Sequence, residues 1–286
     1  MPLNIWSDVS SISNSVREDA LFVVRESLFL EPLITVFRDM AGMNPRIGYQ
    51  YNQGTAVAVS DADDLTSKAF TPSALETLTP SEIGLQFFIS DQRAESEAPE
   101  NILADASREL GYAATDKILS DLVGDFASLT GGTIGAAGST ITWSYMAAMI
   151  AKARNANKSS SVPLSAVIHG YHWAALAKSA SVAGATVAVA PGFQEEVTRT
   201  GKVAEFMGVP IYQTFQSPDS ADDFKPGVFP RIAIAIDWRR PIRVEAVRDA
   251  SRRGIELNMS AVYAHGVWRP LVGVQGIFDA QAPTGV

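Results

Sequence analysis

Residues 78–91 read Leu78-Thr-Pro-Ser-Glu-Ile-Gly-Leu-Gln-Phe-Phe-Ile-Ser-Asp91. Ile83, Leu85, Phe87 and Ile89 recur every second position, the period of a strand with one covered face. Upstream, Ile47, Tyr49 and Tyr51 alternate with Gly48, Gln50 and Asn52, and Ala56–Val59 continues beyond Gly54. Between the two stretches lies the acidic, turn-like Ser60-Asp-Ala-Asp-Asp64, after which the chain returns through Phe70, Leu75 and Leu78. The pattern predicts a long two-stranded excursion with a charged far end. A lone hairpin has too little to pack against to be stable in water. One of this length therefore lies on its own domain or is completed by another chain.

On the N-terminal side, residues 1–45 begin polar and become amphipathic. Leu21, Val24, Leu28, Leu33, Ile34 and Phe37 keep helical spacing, with Pro32 breaking the segment in two. Two readings fit: a core helix pair, or an arm that covers a neighbouring subunit. On the C-terminal side, residues 98–128 carry a long helix. Pro99 suits its first turn, and Glu97 and Glu100 suit the positive end of its dipole. Leu103, Ala106, Leu110 and Ala113 form a stripe that Leu119, Leu122 and Phe126 resume. At ~1.5 Å per residue this helix is on the order of 40 Å long. Gly111 weakens it by ~1 kcal/mol relative to Ala.

The Gly-rich run Leu129–Thr140 ends the helix and predicts a hinge or domain crossover. The section after it alternates helix and strand. Helices are expected at Trp143–Ala156 and Tyr171–Ser181, and strands at Leu164–Ile168, Ala185–Val189, Val209–Tyr212 and Ile232–Ile236. Residues 216–229 read as loop, and Ile242–Ile277 as β-rich.

The bulk properties exclude several classes. With 286 residues, 47% hydrophobic and 19% charged, the chain can bury one large core or two ordinary ones. The absence of cysteine removes thiol nucleophiles and zinc knuckles. A net charge of −8, from 31 acidic and 23 basic residues, is the reverse of what phosphate neutralisation needs. The opening MPLNIWSDVSS has no basic n-region, and Arg25 and Glu26 interrupt the apolar run after it. No stretch reaches the ~18 apolar residues of a membrane helix, so folding in the cytoplasm and no membrane partner are expected.

A search for chemistry assigns no catalytic, cofactor or metal residue. His169 and His172, in Ile-His-Gly-Tyr-His-Trp, have a spacing that could place two imidazoles together, but no acidic residue lies nearby in sequence to complete a metal site. They are assigned to capping or packing a strand–helix junction, and His265 to a structural role. Thr130–Gly135 lacks the Lys-Ser/Thr ending of a phosphate loop and follows a helix rather than a strand. The charged clusters are more suggestive. Asp61, Asp63 and Asp64 crowd the far end of the hairpin; Arg239, Arg240 and Arg243 crowd one short stretch, and Arg248, Arg252 and Arg253 follow. Each is either a solvated face, worth little, or charge complementary to a neighbouring subunit.

The order of these elements resembles the major capsid proteins of tailed bacteriophages, whose Hong Kong ninety-seven-type fold is shared with encapsulin shells. Three stretches carry the likeness: Leu78–Asp91, the turn-strand Met207-Gly-Val-Pro-Ile-Tyr212, and Tyr263-Ala-His-Gly-Val-Trp-Arg-Pro-Leu-Val-Gly273. The resemblance implies an α+β fold with an N-terminal arm at 1–45 and an extended loop at 46–90. It puts the peripheral domain with its spine helix at 91–137, the axial domain at 138–240, and peripheral return strands at 241–286. It also implies a non-enzymatic subunit of the virion, self-assembling in the host cytoplasm into hexamers and pentamers around double-stranded DNA that is contained without sequence-specific binding. A portal and separate scaffolding or decoration proteins are the further partners implied. Inter-subunit contacts are expected at Asp61, Asp63, Asp64, Lys68, Arg239, Arg240, Arg252 and Arg253. Some relatives cross-link a loop lysine to an asparagine; Lys68 is the one lysine of 46–90 and Asn258 lies in the later β segment, yet no cross-link is expected. An encapsulin-type compartment and an unrecognised α/β enzyme remain the alternatives.

Overall fold

In a computed structural model the described residues are 28–51, 56–59, 61, 67, 69–96, 102–159, 161–182, 202–216 and 223–282. A 3₁₀ turn at Glu31–Leu33 leads into β1 (Thr35–Phe37), then β2 (Arg46–Tyr51), β3 (Pro72–Leu78) and β4 (Ser81–Ser90). A short helix α1 (Asp91–Ser96) precedes the long helix α2 (Ile102–Gly124), which tightens into a 3₁₀ turn at Asp125–Ser128. Then come β5 (Thr133–Gly135), α3 (Trp143–Ala156), β6 (Leu164–His169) and α4 (Gly170–Val182). The chain continues through β7 (Lys202–Phe206), β8 (Val209–Thr214), β9 (Asp223–Phe224), β10 (Gly227–Pro230), β11 (Ile234–Asp249), β12 (Gly254–Val267) and β13 (Val274–Asp279).

Among the described residues these strands form three sheets. One is four-stranded in the order β1-β11-β12-β4; one is seven-stranded, β5-β13-β10-β6-β8-β7 with β9 beside β13; the third is the β2-β3 pair. Two strands, β11 and β12, dominate, running antiparallel from Ile234↔Val267 to Asp249↔Gly254. Their turn closes with Arg253 at φ 52°, a left-handed position that a short hairpin turn requires.

Helix α2 lies across this ribbon and joins the two large sheets. Near its start, Leu110 and Ala114 pack on Ile89, Leu257 and Met259. Further along, Ile118, Leu119 and Leu122, with Phe126 beyond, meet Ile234, Ile236, Tyr263 and Phe229. Each of these large side chains is fully buried, worth roughly 1.5–3 kcal/mol of removal from water. Gly227 has no Cβ because one would come within 3.1 Å of the Phe126 ring. A second core lies between α3, α4 and the seven-stranded sheet, around Met146, Met149, Ile150, Ala166, Ile168, Ile211 and Phe278.

Helix α3 falls where the periodicity put it, with Thr142 capping the amide of Tyr145. Elsewhere pairing overrode the pattern. Strand β4 does not return against β2. It pairs antiparallel with β12, Ser90 opposite Gly254 and Ser81 opposite Tyr263, while β2 takes β3 as its partner. The helical spacing expected through Phe37 gives way to a strand at Thr35–Phe37, parallel to Ala235–Asp237 of β11. Leu30 and Ile34 are buried in the chain's own core, so the described end of the arm packs at home.

The Gly-rich run is pinned rather than free. Its β5 pairs with β13, and the Gly131 amide donates to the carbonyl of Gly273 at 2.9 Å. The stretch read as loop at 216–229 holds β9 and β10, all four residues of the latter buried. Met207 and Gly208, both at positive φ, turn β7 into β8. The helical reading of residues 1–27, the helix start at Glu97–Glu100 and the strand at 185–189 lie outside the described residues.

Candidate assembly surfaces

The β2–β3 hairpin is anchored at one end only. At its root, Leu78 is buried with Ala235 and Ala264, and Gly48 lies flat against the Trp268 ring, which meets Phe37 edge-on at 5.4 Å. Away from the root the apolar side chains have no cover. Tyr49 is 55% exposed, Tyr51 51%, Val57 70% and Phe70 73%. Tyr51 and Phe70 stack on one another with ring centroids 4.5 Å apart, which shields one face of each. Exposed single apolar residues are ordinary, but a run of them along one projection is the mark of an interaction surface.

Strand β4 is the free edge of the four-stranded sheet, and Leu85 and Phe88 on it are exposed. Val244 and Val247 of the ribbon are exposed too. The arginines of the ribbon are matched to carboxylates. Arg240 pairs with Glu82, and Arg243 with Glu245. Arg248 grips Asp91 through two bonds of 2.5 and 2.7 Å, and its guanidinium holds the Asp91 carboxyl below the usual range. Arg252, at the ribbon's turn, reaches Glu256 at 2.9 Å and lies over the Phe88 ring. Arg253 is exposed beside it.

Arg239 differs from the others, because its side chain is 1% exposed. Its Nη2 donates to Asp237 Oδ2 at 2.7 Å, and Arg46 Nε donates to the same oxygen at 2.8 Å. Asp237 is fully buried. The expectation that Arg239 is a surface charge like its neighbours is therefore corrected: it lies in the wall of its own subunit. Asp237 itself was invisible as a key residue, its only signal being a carboxylate at the end of an apolar strand. Of the acidic cluster, Asp61 is exposed, whereas Asp63, Asp64 and Lys68 lie outside the described residues. Asn258 sits within β12, opposite Gln86 and Glu245.

The histidines divide into two kinds. His172, on the first turn of α4, is fully buried against Phe224 and Phe278, with Nε2 3.3 Å from the Phe278 carbonyl. Burial pushes it down to about 4. His169 packs beside it on Phe224 and is lowered for the same reason. These two pack the strand–helix junction, as their spacing suggested. His265 instead joins β12 to the end of the long helix, with Nδ1 3.0 Å from Asp125 and Nε2 3.9 Å from Asp121. The Asp125 hydrogen bond raises the His265 pKa. Asp121 also accepts from Tyr263 Oη and Lys117 Nζ, both at 2.6 Å.

No protein-family model matches this sequence, and none of the curated proteins compared with it matches either. Solved structures do match. The head structure of Helicobacter pylori bacteriophage KHP40 superposes with a TM-score of 0.69 at 10% identity, covering 91% of this chain and 93% of that one. The capsid of a native GTA particle gives 0.68 at 16% identity, with 90% and 92% covered. The capsid of cyanophage P-SCSP1u gives 0.67 at 14% identity, with 92% and 94% covered. The chain therefore has the capsid fold of the Hong Kong ninety-seven type along nearly its whole length.

Proposed function

We propose that this protein is the major capsid protein of a tailed bacteriophage, a structural subunit that assembles with copies of itself into hexamers and pentamers of an icosahedral head around double-stranded DNA. The observation that carries the reading is the hairpin, whose root is locked to its own subunit while its length offers uncovered aromatic and aliphatic surface. A hydrophobic surface held out on a fixed root is stabilised when a second copy covers it, and in a closed shell the same contact repeats for every copy. The capsid fold of the whole chain supports the same reading. On it, residues 46–90 extend toward a neighbour, 138–240 gather at capsomer axes, and the ribbon turn with Arg252 and Arg253 contacts adjoining subunits, as do Asp61 and Arg240. Asp63, Asp64 and Lys68 join that contact set as proposals from the sequence. A portal and separate scaffolding or decoration proteins are the further partners, and the mature location is the virion.

Electron microscopy of the purified protein tests this. Closed shells, tubes or capsomers are expected, and a persistent monomer at all concentrations would refute it. Replacing residues 53–70 by a short turn should leave a cooperatively melting subunit that no longer assembles. Boiled shells should run as a monomer band in SDS, because no covalent link between subunits forms. Protein cargo in place of DNA inside native particles would favour the compartment shell over the phage head.

A further inference from the structure

The irregular part of the long ribbon is rich in donors. Between Trp238 and Arg243 the pairing of β11 with β12 shifts register twice, and Pro241 has no amide to contribute. The side chains there open into a cleft of about 480 Å³, walled by Leu28, Met40, Trp238, Ile242 and the aliphatic stem of Arg239. The Glu31–Arg38 ion pair, closed at 2.6 Å, forms another part of the wall. Arg239 spends Nη2 on Asp237, but its buried Nε and Nη1 have no hydrogen-bond partner. The buried Trp238 Nε1 has none either. Three N–H donors thus belong to the walls of one cleft with no acceptor to meet them. Buried donors are nearly always satisfied, so a subunit that leaves three unmade is missing a piece.

We propose that this cleft is a socket for a carboxylate carried by a neighbouring copy of the chain. The proposal rests on the shell reading above and adds a contact to it. A guanidinium fork with an indole N–H beside it matches the two oxygens of a carboxylate. The apolar walls suit the stem of an Asp or Glu side chain. A polyanion such as DNA is a poorer occupant, because the chain carries a net charge of −8 and Asp237 and Glu31 lie at the cleft. Acidic residues, 31 in every copy, are the abundant acceptors in an assembly built from this chain alone.

Hydroxyl-radical footprinting of the wild-type protein tests the socket, reading oxidation of Met40 and Trp238 in free subunits and in shells assembled without DNA. Both residues should become several-fold less reactive in the shell. Equal reactivity in the two states, protection only when DNA is present, or full protection already in the free subunit would each overturn the proposal. The variant Arg239→Lys keeps a cation for Asp237 but loses the fork, and should raise the concentration needed for assembly by ~10-fold or more, the loss of a charge-assisted hydrogen bond per contact. Assembly at the wild-type concentration would also overturn it. Should that variant fail to fold, the wild-type footprint decides alone. Absence of shells from the wild-type chain would sink the capsid reading, whereas shells with a reactive cleft sink only the socket.

Discussion

Replacing Asp237 should destabilise the free subunit more than any other single polar change in the described residues. Its carboxylate is fully buried, and one oxygen receives charged donors from Arg46 at 2.8 Å and Arg239 at 2.7 Å. Removing one partner of a buried ion pair costs roughly 3–5 kcal/mol, because the remaining charge stays desolvated. The two arginines do not suffer equally. Arg46 keeps the exposed Asp39 and lies 4.2 Å over the Phe37 ring. Arg239, 1% exposed, keeps only a 3.8 Å contact with Met40 sulfur. Asp237→Ala should therefore fall in that range of about 3–5 kcal/mol. Asp237→Asn should cost about half as much, since its carbonyl still accepts and only the charge assistance is lost. Urea unfolding of unassembled subunits, followed by far-ultraviolet circular dichroism, measures both. Adding Arg239→Met to Asp237→Ala should recover roughly 0.5–3 kcal/mol relative to the sum of the single changes. A cost below about 1 kcal/mol for Asp237→Ala would refute the claim that the buried pair holds β11 to β2.

Acid should loosen the subunit through His172. Its folded pKa of about 4 lies below the model value of 6.5, so its contribution is present above 6.5 and is lost as pH falls toward 4, by about 3 kcal/mol in all. His172→Leu should flatten the acid side of a melting-temperature profile, and an unchanged profile would contradict the burial. His265 works in the opposite sense. Its folded pKa is raised, so its contribution is complete below about 6.5 and is lost as pH rises through the folded value. Because it is partly exposed, His265→Gln should remove less than ~1 kcal/mol, seen as a smaller gap between melts near neutral and alkaline pH. Two glycines should respond oppositely to alanine. Gly111→Ala, with open space around the new Cβ, should stabilise α2 by ~1 kcal/mol. Gly131→Ala would bring Cβ within 2.4 Å of the Leu271 carbonyl and should cost ~1–3 kcal/mol. Equal effects at the two sites would refute the packing described around Gly131.

The legible parts of this protein were those written in local pattern. Helix α3 and the long helix show their periodicity and caps, and the alternation at Ile83–Ile89 marks a strand whatever it pairs with. The illegible parts depended on partners far along the chain. Nothing in Leu78–Asp91 says that β12 rather than β2 is its neighbour, because alternation reveals a face but not a partner. Val36 looked helical for the same reason: its hydrogen bonds come from β11, about two hundred residues later. The short β9 and β10 were hidden under the Pro and Gly that end them. Among the candidate contacts, Asp61, Arg240, Arg252 and Arg253 are at the surface where their charge suggested. Arg239 is not, because a buried carboxylate two residues earlier draws it inward.

From the sequence alone came the α+β class, the long helix, the existence of a projecting hairpin and its likeness to shell subunits. These follow from composition, period and the order of elements, all of which are local or additive along the chain. Only the tertiary structure decided which strand completes the long ribbon, which arginine is buried, and where donors are left without acceptors. Those depend on which distant groups share a low-dielectric interior, and burial, unlike periodicity, is a property of the fold as a whole.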